Sequence, residues 1–295
     1  MRIGLAILAA VTWGSSTAYA GMAARKSSVI GLAFWSQVLG LAIAWPVVIF
    51  AGSKVLDLHV LAMGAIAGAG VAAGLLLLYV STRYVFVGVA SAVSAVVACA
   101  GPVLITSANH PLTGQGEVGL LVCLVAISMV ARWRKRATPG LDFAEVSNPP
   151  PGSSTKVLGE LAGLVLASLS GVGMGVYYWA LGGTSVRAQL WEAMDSRAVS
   201  AFLLGVVAVV VSKKSLAVSV PRIRFAAPVA LLGIIGAISY ATAVSASSLS
   251  VVVPISSLSP VITVMLGWTL LKERASRAQV VALALSMVGV VLLST

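Results

Sequence analysis

Hydrophobic positions along this chain form ten stretches of 17 to 25 residues, and seven of these stretches contain no charged side chain. A hydrocarbon layer about 30 Å thick is crossed by roughly 20 residues of α-helix. The stretches therefore predict ten transmembrane helices and an all-α membrane protein. The predicted spans are 3–24, 29–51, 60–81, 85–108, 117–133, 157–181, 191–212, 225–247, 249–271 and 278–294.

Composition agrees with this class, because hydrophobic residues make up 59% of the chain and charged residues 9%. The net charge of +11 does not indicate a nucleic-acid partner, since the basic residues lie in loops, where they fix topology and contact anionic lipid headgroups. Only Arg2 precedes the first span, which we expect to be retained rather than cleaved as a signal peptide. Cys99 and Cys123 lie inside spans and are expected to be packing residues.

The basic residues are distributed unequally between the two sides of the membrane. Fifteen of the nineteen Lys and Arg residues lie in loops that follow odd-numbered spans, and Arg2, Lys54, Arg187 and Arg197 lie on the other side. Because cytoplasmic loops carry the excess of positive charge, this distribution predicts that the odd loops are cytoplasmic and that both termini are outside. The predicted location is the plasma membrane.

The chain divides into two halves of five spans. The longest connection, 134–156, begins with basic residues and ends in a Pro/Gly/Ser-rich stretch that cannot form a helix. We interpret it as a linker between a first repeat, 1–133, and a second repeat, 157–295.

Similar segments recur at a fixed distance in these halves. Segment 6–19 resembles 164–177, Pro102 matches Pro260, and an Ile/Leu-Ser-Met-Val sequence occurs at 127–130 and 285–288, each pair being 158 residues apart. Since each half has an odd number of spans, the second half must enter the membrane inverted. Inverted repeats are the architecture of many transporters, whose substrates bind near the midplane between the halves.

Two motifs resemble the drug/metabolite transporter superfamily of the EamA type. One is the sequence WGSS at 13–16; the other runs from Ser256 through a serine-proline element and an apolar helix to the turn Lys272-Glu273-Arg274. The resemblance covers the whole chain, as ten spans in two five-span repeats, and implies a transporter. The chain departs from the family pattern in two ways. It has no acidic turn after the fourth span, and its charge distribution predicts termini outside, whereas family members usually have cytoplasmic termini.

Polar side chains and prolines inside spans are the candidates for a substrate cavity, because lipid penalises polar groups that face neither a partner nor a cavity. The alternatives are interfacial belts for Trp and Tyr, and hydroxyls bonded to their own backbone for Ser. An interfacial position is expected for Tyr79, Tyr84 and Trp191, near span ends. The candidates for the cavity are Trp13, Ser15, Ser16, Tyr19, Trp35, Gln37, Tyr177, Tyr178, Tyr240, Pro254, Ser256 and Ser257.

Glycines at 64, 68, 70 and 74 form two small-xxx-small pairs in the third span. Such pairs predict close packing against neighbouring helices.

Glu192, Asp195 and Arg197 form the cluster of ionisable residues within reach of a membrane cavity, and they are the candidates for energy coupling, for example as a proton site. If a helix already includes them, Glu192 and Asp195 share one helix face. The strongly apolar part of this span begins only at Ala198. We therefore expect the three residues to lie in a solvated loop.

These observations predict a secondary transporter of a small organic metabolite, such as an amino acid, working by alternating access as a facilitated exporter or exchanger. Proton-coupled multidrug efflux is an alternative that lacks a deep carboxylate in this reading. An integral-membrane enzyme lacks catalytic groups in span cores, since His59 and His110 lie at span ends, and an ion channel lacks a charged pore ring. No catalytic residue, metal or cofactor is predicted; the expected partners are the substrate and the lipid bilayer.

Overall fold

The structure, a computed structural model, forms nine long helices within the residues it describes. The described residues are 2–50, 57–107, 154–181, 186–211, 213–246, 258–270 and 277–293, with short pieces between 114 and 125 and between 252 and 256. The helices are α1 (Arg2–Lys26), α2 (Val29–Phe50), α3 (Leu58–Ser81), α4 (Val87–Ser107), α5 (Ser154–Leu181), α6 (Val186–Val211), α7 (Val220–Ala246), α8 (Ser259–Leu270) and α9 (Arg277–Leu293).

Most helices follow the predicted spans closely. Six of them, α1 to α3 and α5 to α7, are long and apolar enough to cross a membrane. The predicted all-α membrane class is confirmed for the described residues. The fifth predicted span, 117–133, and the predicted linker lie largely or wholly outside these residues.

The ninth predicted span, 249–271, is not one continuous helix in the described residues. A turn at Leu258 precedes α8, which begins at Ser259 with Pro260 as its second residue. Proline lacks the N–H that would continue a preceding helix, and it disfavours helical geometry in the residue before it, but it is well tolerated in a first helical turn. Pro260 therefore begins a helix here rather than interrupting one.

The large apolar side chains point outward. On α5, Leu161, Val165, Leu169 and Val172 are each at least half exposed, and their spacing places them on one face of the helix. The interior is built largely from Ala, Gly and Ser. This distribution is typical of a membrane protein, because lipid solvates large apolar side chains while small residues let helices approach one another.

The glycines of α3 contact two different helices, which confirms the predicted close packing. Gly64 and Gly68 lie against α6, and Gly70 and Gly74 lie against α5. A Cβ added at Gly70 would lie 2.5 Å from the carbonyl oxygen of Gly173 on α5. The two backbones are therefore too close to admit any larger residue at this point.

Helix contacts relate α1–α4 to α5–α8 pairwise. α1 packs against α7 and α8, and in the corresponding way α5 packs against α3 and α4. α2 packs against α7, and correspondingly α6 packs against α3. Side chains repeat the pattern: Trp13 Nε1 donates to the carbonyl oxygen of Gly233 at 3.3 Å, and Ser170 Oγ donates to that of Gly74 at 2.8 Å.

The packing of α4 and α8 differs from the sequence match at an offset of 158. A Cβ on Gly171 would meet the carbonyl oxygen of Ser94 at 2.5 Å, and one on Gly14 would meet that of Ser259 at the same distance. These contacts make Ser94 equivalent to Ser259, at an offset of 259 − 94 = 165. The sequence match of Pro102 to Pro260 therefore does not correspond to equivalent packing positions.

Candidate substrate cavity

A cavity of about 160 Å³ lies inside the helix bundle, and each of the helices α1–α8 contributes to its wall. The polar or aromatic residues in the wall are Trp13, Ser16, Thr17, Ser36, Gln37, Tyr79, Ser91, Ser94, Tyr177, Tyr178, Ser196, Arg197 and Ser259. The rest of the wall is formed by small and aliphatic residues, so one space offers both hydrogen-bonding and apolar surface.

The cavity reaches the middle of several long helices. Arg197 is the twelfth of the 26 residues of α6, Gln37 is the ninth of the 22 residues of α2, and Gly233 is the fourteenth of the 27 residues of α7. Each of these residues lies inside the part of its helix that is long and apolar enough to cross a membrane, Trp191–Val211, Val29–Pro46 and Val220–Ala243 respectively, and we expect the polar wall to lie at the depth of the hydrocarbon core. A buried polar surface at that depth is typical of a substrate or ion pathway.

Arg197 projects from α6 between α2 and α7. Its Nη1 lies 3.4 Å from Gln37 Oε1. A Cβ on Gly40 would lie only 2.6 Å from Arg197 Nη1, and a Cβ on Gly233 would lie 3.6 Å from Nη2. The glycine at position 40 therefore leaves the space that the guanidinium occupies. Tyr79 and Tyr177 are near enough to interact with this charge electrostatically.

Aromatic side chains form one corner of the site. The ring of Trp13 lies 6.4 Å from that of Tyr178, and the ring of Tyr178 lies 5.4 Å from that of Tyr177, centroid to centroid. Tyr240 lies 5.4 Å from Trp13, on the side away from the cavity, where it packs with Ala6 and Val252. Tyr240 thus supports Trp13 and is not among the lining residues.

The structure brings together five of the twelve candidate cavity residues: Trp13, Ser16, Gln37, Tyr177 and Tyr178. Ser15, Tyr19, Trp35, Tyr240 and Ser256 are not in the wall. Tyr19 and Trp35 pack instead against the hydrophobic core, where Trp35 makes an edge-on contact with Phe34 at 5.2 Å. Pro254 and Ser257 lie outside the described residues.

The interfacial position predicted for Tyr79 is wrong. Its side chain is only 2% exposed and lines the cavity, where the hydroxyl interacts with Ser36. Although Tyr79 is close to the end of α3, neighbouring helices cover it, and sequence position alone does not reveal this cover. Tyr84, in contrast, is 48% exposed just beyond α3.

The solvated loop expected for Glu192, Asp195 and Arg197 is also wrong. α6 begins at Val186, so all three residues are helical. Glu192 is fully buried, and Asp195 lies against Gly64 of α3. α3 packs against α6 at Asp195, Ser196 and Val199, and this tertiary contact begins before the strongly apolar part of the sequence.

Several serines in the wall were missed by sequence reasoning. Ser94 Oγ and Ser170 Oγ are 3.0 Å apart, and Ser36, Ser91 and Ser196 also face the cavity. The spacing of Ser91 and Ser94 is a signal that could have been used, because residues three apart lie on one helix face. Isolated serines in apolar spans otherwise carry little information.

The comparisons with known proteins decide between the classes that this geometry permits. Residues 161–295 match the model of the EamA-like transporter family. The second half of the chain is EamA-like. This match agrees with the resemblance of the second half to the drug/metabolite transporter superfamily. The EamA-like half includes most of α5 and all of α6–α9, and it supplies Tyr177, Tyr178 and Arg197 to the cavity.

A solved structure supports the fold over both halves. The structure, whose title is "Crystal structure of protein", aligns with 99% of this chain and 97% of its own chain, with a TM-score of 0.63 and 16% sequence identity. No curated protein sequence matches the chain. At this level of identity the structural likeness shows the fold alone, which extends beyond the EamA-like half.

Proposed function

We propose that this protein is a secondary transporter that moves a small organic metabolite across the plasma membrane. The observation that carries the proposal is the central cavity, which combines hydroxyl, amide, guanidinium and aromatic groups at the depth of the bilayer core. Such a surface is costly to bury in lipid unless it serves a solute. The match of residues 161–295 to a transporter family favours the same function.

Alternating access between two inverted five-helix repeats is the proposed mechanism. The pairwise relation of α1–α4 to α5–α8 supports it, because equivalent contacts recur on both sides of the cavity. Two related halves around one site can exchange two conformations, each open to a different side. The first and second repeats are proposed to end and begin at 133 and 157, with five membrane helices each.

Facilitated export or exchange is the proposed mode of transport. The described wall of the cavity contains no Asp or Glu side chain, so a substrate in the cavity would not meet a proton-carrying carboxylate directly. The positive-inside distribution places the loop between α6 and α7 in the cytoplasm.

Proton-coupled efflux is a second candidate, favoured by one specific observation. Glu192 is fully buried in α6 and acts electrostatically on Tyr177, which lines the cavity. Glu192 does not line the cavity, but it interacts with a residue that does. A change in the protonation of Glu192 could therefore affect the cavity through Tyr177. Buried ionisable residues in membrane helices commonly serve proton movement.

The test of the proposed function is solute counterflow with purified protein in liposomes. Vesicles are loaded with an unlabelled metabolite, and uptake of the same labelled metabolite is followed for a panel of amino acids, organic acids and neutral solutes. Saturable, trans-stimulated uptake of at least one compound is expected, with protein-free vesicles as the control. Absence of counterflow across the panel, with protein shown to be folded and inserted, would contradict the proposal.

A further inference from the structure

We propose that the transported substrate carries one carboxylate, which binds the guanidinium of Arg197, and an apolar or aromatic remainder. This inference rests on the proposed transport function and adds the chemical class of the substrate. The geometry that carries it is a charged side chain that lines the cavity and lies within the apolar span Trp191–Val211 of α6.

Among the residues that line the described cavity wall, Arg197 has the one formally charged side chain. Placing a cation at this depth costs several kcal/mol unless an anion or strong acceptors compensate it. Its hydrogen-bond acceptor is the neutral amide oxygen of Gln37, at the long distance of 3.4 Å. Tyr79 and Tyr177 add only neutral hydroxyls.

The neighbouring carboxylates do not enter the wall. Asp195 faces Gly64 on α3, and Glu192 lies five residues before Arg197 on α6, where it interacts electrostatically with Tyr177. Neither lines the cavity. An anion brought by the substrate would therefore compensate Arg197 from within the cavity.

A carboxylate suits this site better than a phosphate. A guanidinium presents two parallel N–H groups that match the two oxygens of a carboxylate. A single arginine balances a monoanion, whereas a phosphate dianion would leave one negative charge uncompensated in a medium of low polarity. The described wall offers no second cation.

The cavity wall also offers surface for an uncharged group. Trp13 and Tyr178 form an aromatic surface with their rings 6.4 Å apart, and Leu75 and Met174 extend it with aliphatic atoms. Because no carboxylate in the described wall would accept an ammonium group, a monocarboxylate fits better than a zwitterion. The volume of about 160 Å³ limits the substrate to a small molecule.

The first experiment compares three probes of similar shape on the purified full-length protein in detergent. Benzoate, its neutral analogue benzamide, and phenyl phosphate are added separately, and thermal unfolding is measured. Ligands that bind the folded state raise its unfolding temperature. We expect saturable stabilisation by benzoate, and at least tenfold weaker binding of benzamide and phenyl phosphate. Equal or stronger binding of either analogue, or no effect of benzoate, would overturn the inference.

Variants then assign the preference to Arg197. Arg197→Gln keeps hydrogen-bonding groups but removes the charge, so the preference of benzoate over benzamide should disappear. Arg197→Lys keeps a point charge without the two-pronged geometry and should preserve the preference with about tenfold weaker binding. The matched control is Arg224→Gln, since Arg224 is exposed at the start of α7 and lies outside the cavity. A preference that survives Arg197→Gln would overturn the inference, and if that variant does not fold, loss of the preference in Arg197→Lys would do so.

Counterflow separates this inference from the proposed function. If vesicles exchange only neutral or cationic solutes, the carboxylate inference is wrong while transport stands. If benzoate stabilises the protein through Arg197 but no member of the panel is exchanged, the anion site stands and the proposed transport is wrong.

Discussion

The indole Nε1 of Trp13 donates a hydrogen bond to the carbonyl oxygen of Gly233 over 3.3 Å, and this bond joins the cavity face of α1 to the midpoint of α7. Ser16, one turn further along α1, bonds the carbonyl oxygen of Val229 at 3.0 Å. The two bonds hold α1 and α7 in register beside the cavity, so Trp13 both shapes the wall and fixes its position.

Two replacements of Trp13 should impair transport to different degrees. Trp13→Phe removes the hydrogen bond, a change of about 1 kcal/mol, and should lower the apparent affinity in counterflow only moderately. Trp13→Ala also removes the aromatic surface and should weaken substrate binding by about tenfold or more. The matched control is Trp45→Ala, because Trp45 is 51% exposed on α2. Equal effects at both positions, or loss of monodisperse protein with Trp13→Ala, would assign Trp13 to general packing.

Transport should not require a proton gradient if the facilitated mode is correct. We expect counterflow by the Glu192→Gln variant to match that of the unmodified protein, and uptake to be unaffected by an imposed pH difference. Glu192 is isosteric with Gln, so the variant tests charge at a buried position without creating a cavity. Uptake that follows the pH difference and is lost in Glu192→Gln would instead identify Glu192 as the proton carrier.

Transport of a monocarboxylate should also respond to voltage. Facilitated movement of an anion carries one negative charge, so an inside-positive potassium diffusion potential should accelerate the uptake of a labelled carboxylate into vesicles. A neutral solute carried without ions would show no such response. No response to the potential would indicate that one monovalent cation accompanies each carboxylate, and inhibition would indicate that more than one does.

Membrane orientation can be tested at two strongly exposed positions. Leu58 is the first residue of α3 and is 82% exposed, and Val218 precedes α7 and is 73% exposed. The charge distribution places the first outside and the second in the cytoplasm. In a background with Cys99 and Cys123 replaced by Ala, an impermeant maleimide applied to intact cells should label Leu58→Cys and spare Val218→Cys. The reverse pattern would establish the family's usual orientation.

The contact of Gly70 with Gly173 should be sensitive to any added atoms. A Cβ on Gly173 would lie 2.7 Å from the carbonyl oxygen of Gly70, so Gly173→Ala should lower the stability in detergent by about 1–3 kcal/mol. Gly4→Ala is the matched control, since nothing lies within 4 Å of its added Cβ. Similar unfolding temperatures for the two variants would contradict the close packing of α3 and α5.

The class of the fold and most helix positions could be predicted from the sequence, because bilayer thickness fixes the length of an apolar span. The inner face of each helix could not. In a soluble helix, hydrophobic periodicity marks the buried side, whereas here both lipid and interior accept apolar groups. Tyr79 illustrates the difficulty: its sequence position indicates an interface, but tertiary packing buries it.

The charged cluster was misread for a related reason. Hydropathy locates the strongly apolar part of α6 from Ala198 onward. The helix nevertheless begins earlier, where α3 packs against it and the small residue Gly64 lies against Asp195. Such cover is a property of a distant segment and leaves no mark in the local sequence. Arg197 was named from the sequence only as part of a possible coupling cluster, and its place in a central cavity became visible only with α2 and α7 beside it.

The outward position of large apolar side chains, with small residues inside, reverses the usual relation between residue size and mutational sensitivity. Phe202 is 69% exposed on α6, so shortening it replaces contacts with lipid and leaves no void between helices. One added methyl at an interior glycine, in contrast, separates two backbones. Sequence variation in this protein should therefore be widest among its largest hydrophobic residues and narrowest among its smallest, which is the opposite of the tolerance expected for a water-soluble core.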